Sequence, residues 1–189
     1  MKKKTGFTLI EMLVVIGVVI LVVPSIFVII FGIMREQTKI YRLSIIKKEG
    51  DFILNNISNL IKSRAITIHS ANPPTEINQV CAISDDEFTS SNDRIFFTDP
   101  ENNWFRILWS SNVIASYSSF TASSVNLNSS NAIIENFSIG CERASTYSGP
   151  TVSISFEICY KTSLGSCTST RPEETATMYY QTKIKLRNY

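Results

Sequence analysis

KKKTGFTLIEMLVVIGVVILVVP occupies residues 2–24 and decides the architecture of the chain. Three lysines precede a Gly6–Phe7 junction, and a long apolar run follows with one early carboxylate, Glu11. From Met12 to Met34 no residue is charged, and only Gly17, Pro24, Ser25 and Gly32 interrupt the aliphatic and aromatic side chains. At about 1.5 Å of rise per residue this stretch reaches roughly 34 Å, against a hydrocarbon core of about 30 Å. The rest of the chain is polar and rich in Ser, Thr and Asn. The pattern predicts a membrane-anchored globular domain.

The start of the run does not read as an ordinary secretory signal. Such a signal has 7–15 apolar residues followed by a small-residue cleavage site. Here Arg35-Glu36-Gln37 follows the apolar stretch, and the small residue, Gly6, precedes it. Two options remain: an uncleaved signal anchor, or a leader cut on the cytoplasmic side. An acid at the centre of a membrane helix costs about 2.5–3.5 kcal/mol on insertion scales, and less toward the edge. In the intact chain Glu11 lies near that edge and can meet headgroups. A cut after Gly6 would free an amine on Phe7, four residues before Glu11, and remove the leader lysines. Each mature copy would then offer one ammonium and one carboxylate, which attract strongly across two copies in a low-dielectric bundle.

The stretch from Lys2 to Pro24 resembles the N-terminal cleavage and methylation segment of type IV prepilins and type II secretion pseudopilins. The resemblance rests on the basic leader, Gly-Phe-Thr-Leu, the Glu and the long run occurring together, and covers about 30 residues. It implies cleavage after Gly6 by a prepilin peptidase, N-methylation of Phe7, and Glu11 as the assembly carboxylate. It implies as partners other pilin or pseudopilin subunits, an inner-membrane assembly platform, and the lipid bilayer before assembly. The implied location is the bacterial inner membrane in a single pass, with the N-terminus cytoplasmic and the head extracytoplasmic, and afterwards a periplasmic or surface filament. Lys and Arg beyond Met34 outnumber the leader's three, which runs against the positive-inside bias.

The expected organisation is a leader at 1–6, a transmembrane or filament-core helix at 7–34, an amphipathic helical stem at 35–66 and an extracytoplasmic β-rich head at 67–189. Residues 35–64 carry a net charge of +4, and residues 65–189 carry −4. A basic stem thus joins the membrane segment to an acidic head, and the head lacks the cationic footprint of a nucleic-acid binder. In the stem, Ile46, Ile53, Ile57, Leu60 and Ile61 follow helical spacing. Gly50 weakens that helix by about 1 kcal/mol relative to Ala and marks a candidate bend. Pro24 removes a backbone donor and marks a candidate kink, or simply a tolerated transmembrane proline.

Beyond Asn72-Pro73-Pro74 the pattern turns to period two. Val152, Ile154, Phe156, Ile158 and Tyr160 share one face of a strand, and Met178, Tyr180, Thr182, Ile184 and Leu186 share one face of another. Shorter candidate strands are Arg94–Thr98, Trp104–Trp109, Val113–Tyr117 and Ile133–Ile139, with the Ser-rich stretch 110–131 as exposed loop and edge. The predicted fold class is α+β and pilin-like, a long N-terminal helix covering the apolar face of an antiparallel sheet. Four cysteines, Cys81, Cys141, Cys159 and Cys167, show no metal-ligand spacing, and in an exported domain they allow three disulfide connectivities. Cys159–Cys167 with Cys81–Cys141 is the expected one.

No catalytic constellation appears, and no metal or cofactor is expected. His69 stands alone and reads as a surface or boundary residue. The acids Asp85, Asp86, Glu87 and Asp93 fit no EF-hand spacing and read as a solvated loop rather than a calcium site. Trp104 and Trp109 are read as core, with an exposed contact surface as the alternative. The resemblance implies a structural function, and the large head with two expected disulfides fits a minor pilin or pseudopilin. A signal-anchored, non-polymerising extracytoplasmic binding protein is the alternative.

Overall fold

The computed structural model describes residues 8–91, 94–145, 147–162 and 165–187. The leader, Gly6, Phe7 and Asp93 lie outside the described residues.

A single helix, α1 (Leu9–Arg64), carries both the membrane segment and the stem. It runs without interruption through Pro24 and Gly50, about 84 Å at 1.5 Å per residue. It ends at Ala65, whose backbone is extended and whose N–H still donates to the Ile61 carbonyl at 3.0 Å. Lys62 and Arg64 in the last turn complement the helix dipole. The helix thus stops well before Asn72-Pro73-Pro74, because the chain at residue 65 leaves helical geometry to enter a strand.

The strands are β1 (Thr67–His69), β2 (Gln79–Val80), β3 (Asp86–Thr89), β4 (Arg94–Thr98), β5 (Trp104–Ser110), β6 (Val113–Ser118), β7 (Ser123–Asn126), β8 (Ala132–Arg143), β9 (Thr151–Tyr160) and β10 (Thr177–Lys185). They form two antiparallel sheets rather than the one expected. One has six strands in the order β2-β1-β4-β5-β6-β7, the other four in the order β10-β9-β8-β3. The α+β class holds: the stem of α1 packs on β9 and β10, and both sheets turn their apolar faces into one shared core.

Helix and sheet meet by matching periods. On α1 the buried residues are Ile46, Gly50, Ile53, Ile57 and Ile61, spaced three and four apart. On β9 the inward set is Val152, Ile154, Phe156 and Ile158, as alternation predicts, and on β10 Ile184 is buried with Met178 and Tyr180 packed beside it. Each fully buried Ile contributes about 1.5–3 kcal/mol. Gly50 is a contact point. A Cβ there would stand 2.2 Å from Cε2 of Tyr180, whose ring stacks on Phe156 at 5.4 Å and whose hydroxyl donates to the Lys47 carbonyl at 3.0 Å. Further ties come from Arg42, over the Tyr160 ring at 5.2 Å, and from Glu49, which accepts from the Ser129 backbone N–H at 3.1 Å and from its hydroxyl.

Cys81 is bonded to Cys141 and Cys159 to Cys167. The first bond links the end of β2 to β8 and so joins the two sheets covalently; the second closes a short loop after β9. His69 is buried, contrary to its reading as a boundary residue. Its Nδ1 lies 3.1 Å from the Thr75 carbonyl and 3.0 Å from Asn78 Oδ1, both acceptors, so Nδ1 carries a proton and Nε2 faces the Thr67 hydroxyl at 2.8 Å. In the Ser-rich stretch β7 is an exposed edge, yet Asn128 is buried. Asn128 accepts from the Ile114 N–H at 3.0 Å and donates to the Ala132 carbonyl at 2.9 Å, pinning the β7–β8 connection.

Candidate functional site at the start of the long helix

Glu11 and Thr8 form a closed pair at the first turn of α1. Thr8 is the N-cap, with extended backbone angles, and its hydroxyl accepts from the Glu11 N–H at 3.3 Å. The Glu11 Oε2 in return accepts from the Thr8 N–H at 2.9 Å and the Thr8 hydroxyl at 3.0 Å. Two helix-start donors are met reciprocally, and the carboxylate sits at the positive end of the helix dipole. The signal was available in the sequence: Thr8-Leu9-Ile10-Glu11 has Thr and Glu at N-cap spacing ahead of an apolar run. The Gly6–Phe7 bond precedes this cap, outside the described residues.

Everything from Leu9 to Met34 is exposed, including Leu21 at 77% and Val28 at 72%. The helix is long and apolar enough to cross a membrane. Bare aliphatic surface on this scale is unfavourable in water, so it requires lipid or other apolar helices around it. Pro24 falls inside this bare half, where Ser25 Oγ donates to the Val22 carbonyl at 2.7 Å.

The remaining candidates separate. Trp109 faces inward, stacked on Phe137 at 6.5 Å with its indole N–H donating to the Ile134 carbonyl at 3.1 Å. Trp104 faces the other way, on the outer side of the six-stranded sheet, stacked on Tyr117 at 5.3 Å. The two tryptophans thus divide between the two readings. Asp85 and Glu87 are exposed at the turn into β3, and Asp86 pairs across to Arg143 of β8.

Residues 1–23 match the family model of the prokaryotic N-terminal methylation motif. No curated protein and no solved structure matches the chain. The motif, the apolar helix and the α+β head together describe a type IV prepilin- or pseudopilin-like protein whose helix fits a single-pass inner-membrane anchor.

Proposed function

We propose that the chain is a structural subunit, a minor pilin or pseudopilin, of a type IV pilus-like or type II secretion-like filament. Prepilin peptidase cuts after Gly6 and methylates Phe7, and the subunit waits in the inner membrane with its head outside the cytoplasm. Assembly then gathers the bare halves of many helices into a filament core, where Glu11 meets the amine of a neighbouring subunit. Pro24 supplies a kink or a point of local melting as the helices pack. The carrying observation is that one unbroken helix has an exposed apolar half that begins within the methylation motif and a half fixed to a disulfide-bonded head. Two disulfides also support a head exposed to an oxidising compartment. The exposed Lys47 and Lys48 of the basic stem would face the acidic head of the next subunit, and reversing both charges should then impair assembly.

A second reading has one specific observation in its favour. Glu11 is hydrogen-bonded within its own chain and has no need of a neighbour to escape isolation. That suits a signal-anchored, non-polymerising extracytoplasmic binding protein. N-terminal mass analysis of protein extracted from membranes separates the two. A chain beginning at methylated Phe7 is the filament subunit's outcome, and an intact Met1 or Lys2 start is the anchor's.

A further inference from the structure

The outward face of the six-stranded sheet takes no part in the reading above. Strand register places one residue from every strand in a single row across it: Gln79, His69, Phe96, Arg106, Tyr117 and Ser124. Trp104 and Thr98 flank this row on one side, Arg94 and Leu108 on the other. No strand residue on this face is acidic, although residues 65–189 carry a net charge of −4. The face is electrically opposite to the head that bears it.

Arg106 stands at its centre, held by aromatic rings instead of hydrogen bonds. Its guanidinium lies 4.9 Å from the Tyr117 ring centroid. Tyr117 stacks on Trp104 at 5.3 Å, and Trp104 meets the buried Phe96 edge-on at 5.8 Å. Among the described residues the Arg106 side chain makes no hydrogen bond or salt bridge, and its Nε is buried with no partner. An unpaired buried donor costs free energy, and a charged one more than a neutral one. The carboxylates of the neighbouring turn are engaged elsewhere. Asp99 Oδ1 accepts from the backbone N–H groups of Glu101 at 3.0 Å and Asn103 at 2.8 Å, and Glu101 Oε2 accepts from Asn103 Nδ2 at 3.5 Å.

We infer that this face docks a carboxylate-bearing segment of a partner protein, with Arg106 receiving the carboxylate and Trp104 and Tyr117 packing against the residues beside it. A guanidinium pre-oriented on a ring suits a planar carboxylate, which accepts two parallel N–H bonds. The aromatic flank suits the apolar side chains that accompany an acid in a peptide. A nucleic-acid strand fits less well: two arginines make no phosphate track, and an acidic head repels a polyanion at long range. The inference does not depend on filament formation.

The test uses the full chain in detergent micelles, with Trp109→Phe so that Trp104 is the sole indole. Trp104 fluorescence is followed during titration with a hexaglutamate peptide. The expected result is a saturable change whose affinity falls about tenfold or more in Arg106→Gln and falls less in Arg106→Lys. Lys47→Gln with Lys48→Gln, which removes two exposed cations of the stem, should leave the Trp104 signal unchanged. Calorimetry on the chain with both tryptophans gives the same comparison if Trp109→Phe fails to fold. The inference is overturned if no saturable binding occurs or if Arg106→Gln binds equally well. Tighter binding of an oligothymidylate of equal charge would overturn it too.

Discussion

The two halves of α1 share one backbone and face opposite solvents. From Leu9 to Met34 every side chain is exposed; from Ile46 to Ile61 one face is sealed against the head. Isoleucine is abundant in both halves, so composition alone does not distinguish them. What differs is arrangement: in the outer half the apolar residues surround the helix, and in the stem they fall on one stripe. A helix apolar all round needs a surrounding apolar medium, whereas a striped one needs a single partner surface. The same residue type therefore has two jobs, and substitutions at matched sites should separate them.

The largest expected effect is at the bare end. Glu11→Leu should abolish incorporation into sheared filament fractions while the head's melting temperature stays unchanged. Normal incorporation would break the assignment of distinct roles to the two halves. Next comes a matched pair. Ile57→Ala should destabilise the head by about 2–5 kcal/mol through a buried cavity, and Ile16→Ala should leave its thermal melt in detergent unaltered. An unaltered melt in Ile57→Ala as well would show that the head does not rely on the stem.

Gly50→Ala is smaller. Better helix propensity favours the variant by about 1 kcal/mol, and displacing the Tyr180 ring opposes it by about 1–3 kcal/mol. The net expectation is a lower melting temperature, recovered when Tyr180 is shortened to Leu in the same chain. Stabilisation by Gly50→Ala alone would mean that the ring is not fixed there.

The smallest effect is alkaline. Burial, followed by the nearby Asp51 carboxylate, raises the Tyr180 pKa above the ordinary tyrosine value. The neutral phenol is thus the form the fold prefers. Its contribution is complete below the unfolded pKa of about 10 and is lost as pH rises through the higher folded value. Melting curves should fall above about pH 10, and less steeply in Tyr180→Phe. An identical alkaline profile would remove Tyr180 from the stem contact.

Much of this was legible because it is written in periods. The helix and the inward faces of β9 and β10 follow directly from spacing. The division into two sheets does not, since alternation assigns a residue to a face and says nothing about which strand lies alongside. β8 shows a further limit. Its register shifts between Glu135 and Ser138, Asn136 adopts φ 50°, and the inward set passes from Ala132 and Ile134 to Phe137, Ile139 and Cys141, so the bulge reverses the phase of the alternation. Strands as short as β1 and β2 offer too few residues for any period. Gly50 and His69 were misleading for another reason. A missing side chain reads as weakness until Tyr180 fills the space, and a lone histidine reads as surface until Thr67, Thr75 and Asn78 enclose it. At the helix start the Thr8 cap is written in four residues, Thr8-Leu9-Ile10-Glu11, and gives Glu11 a partner within its own chain.

The seating of Tyr180 in the notch at Gly50 has a mechanical consequence. A glycine inside a helical stem is where bending would concentrate, and here an aromatic ring wedges that place shut. Thrust passed along the stem therefore reaches the sheet without being absorbed at Gly50. The head must travel and turn with the lever that carries it.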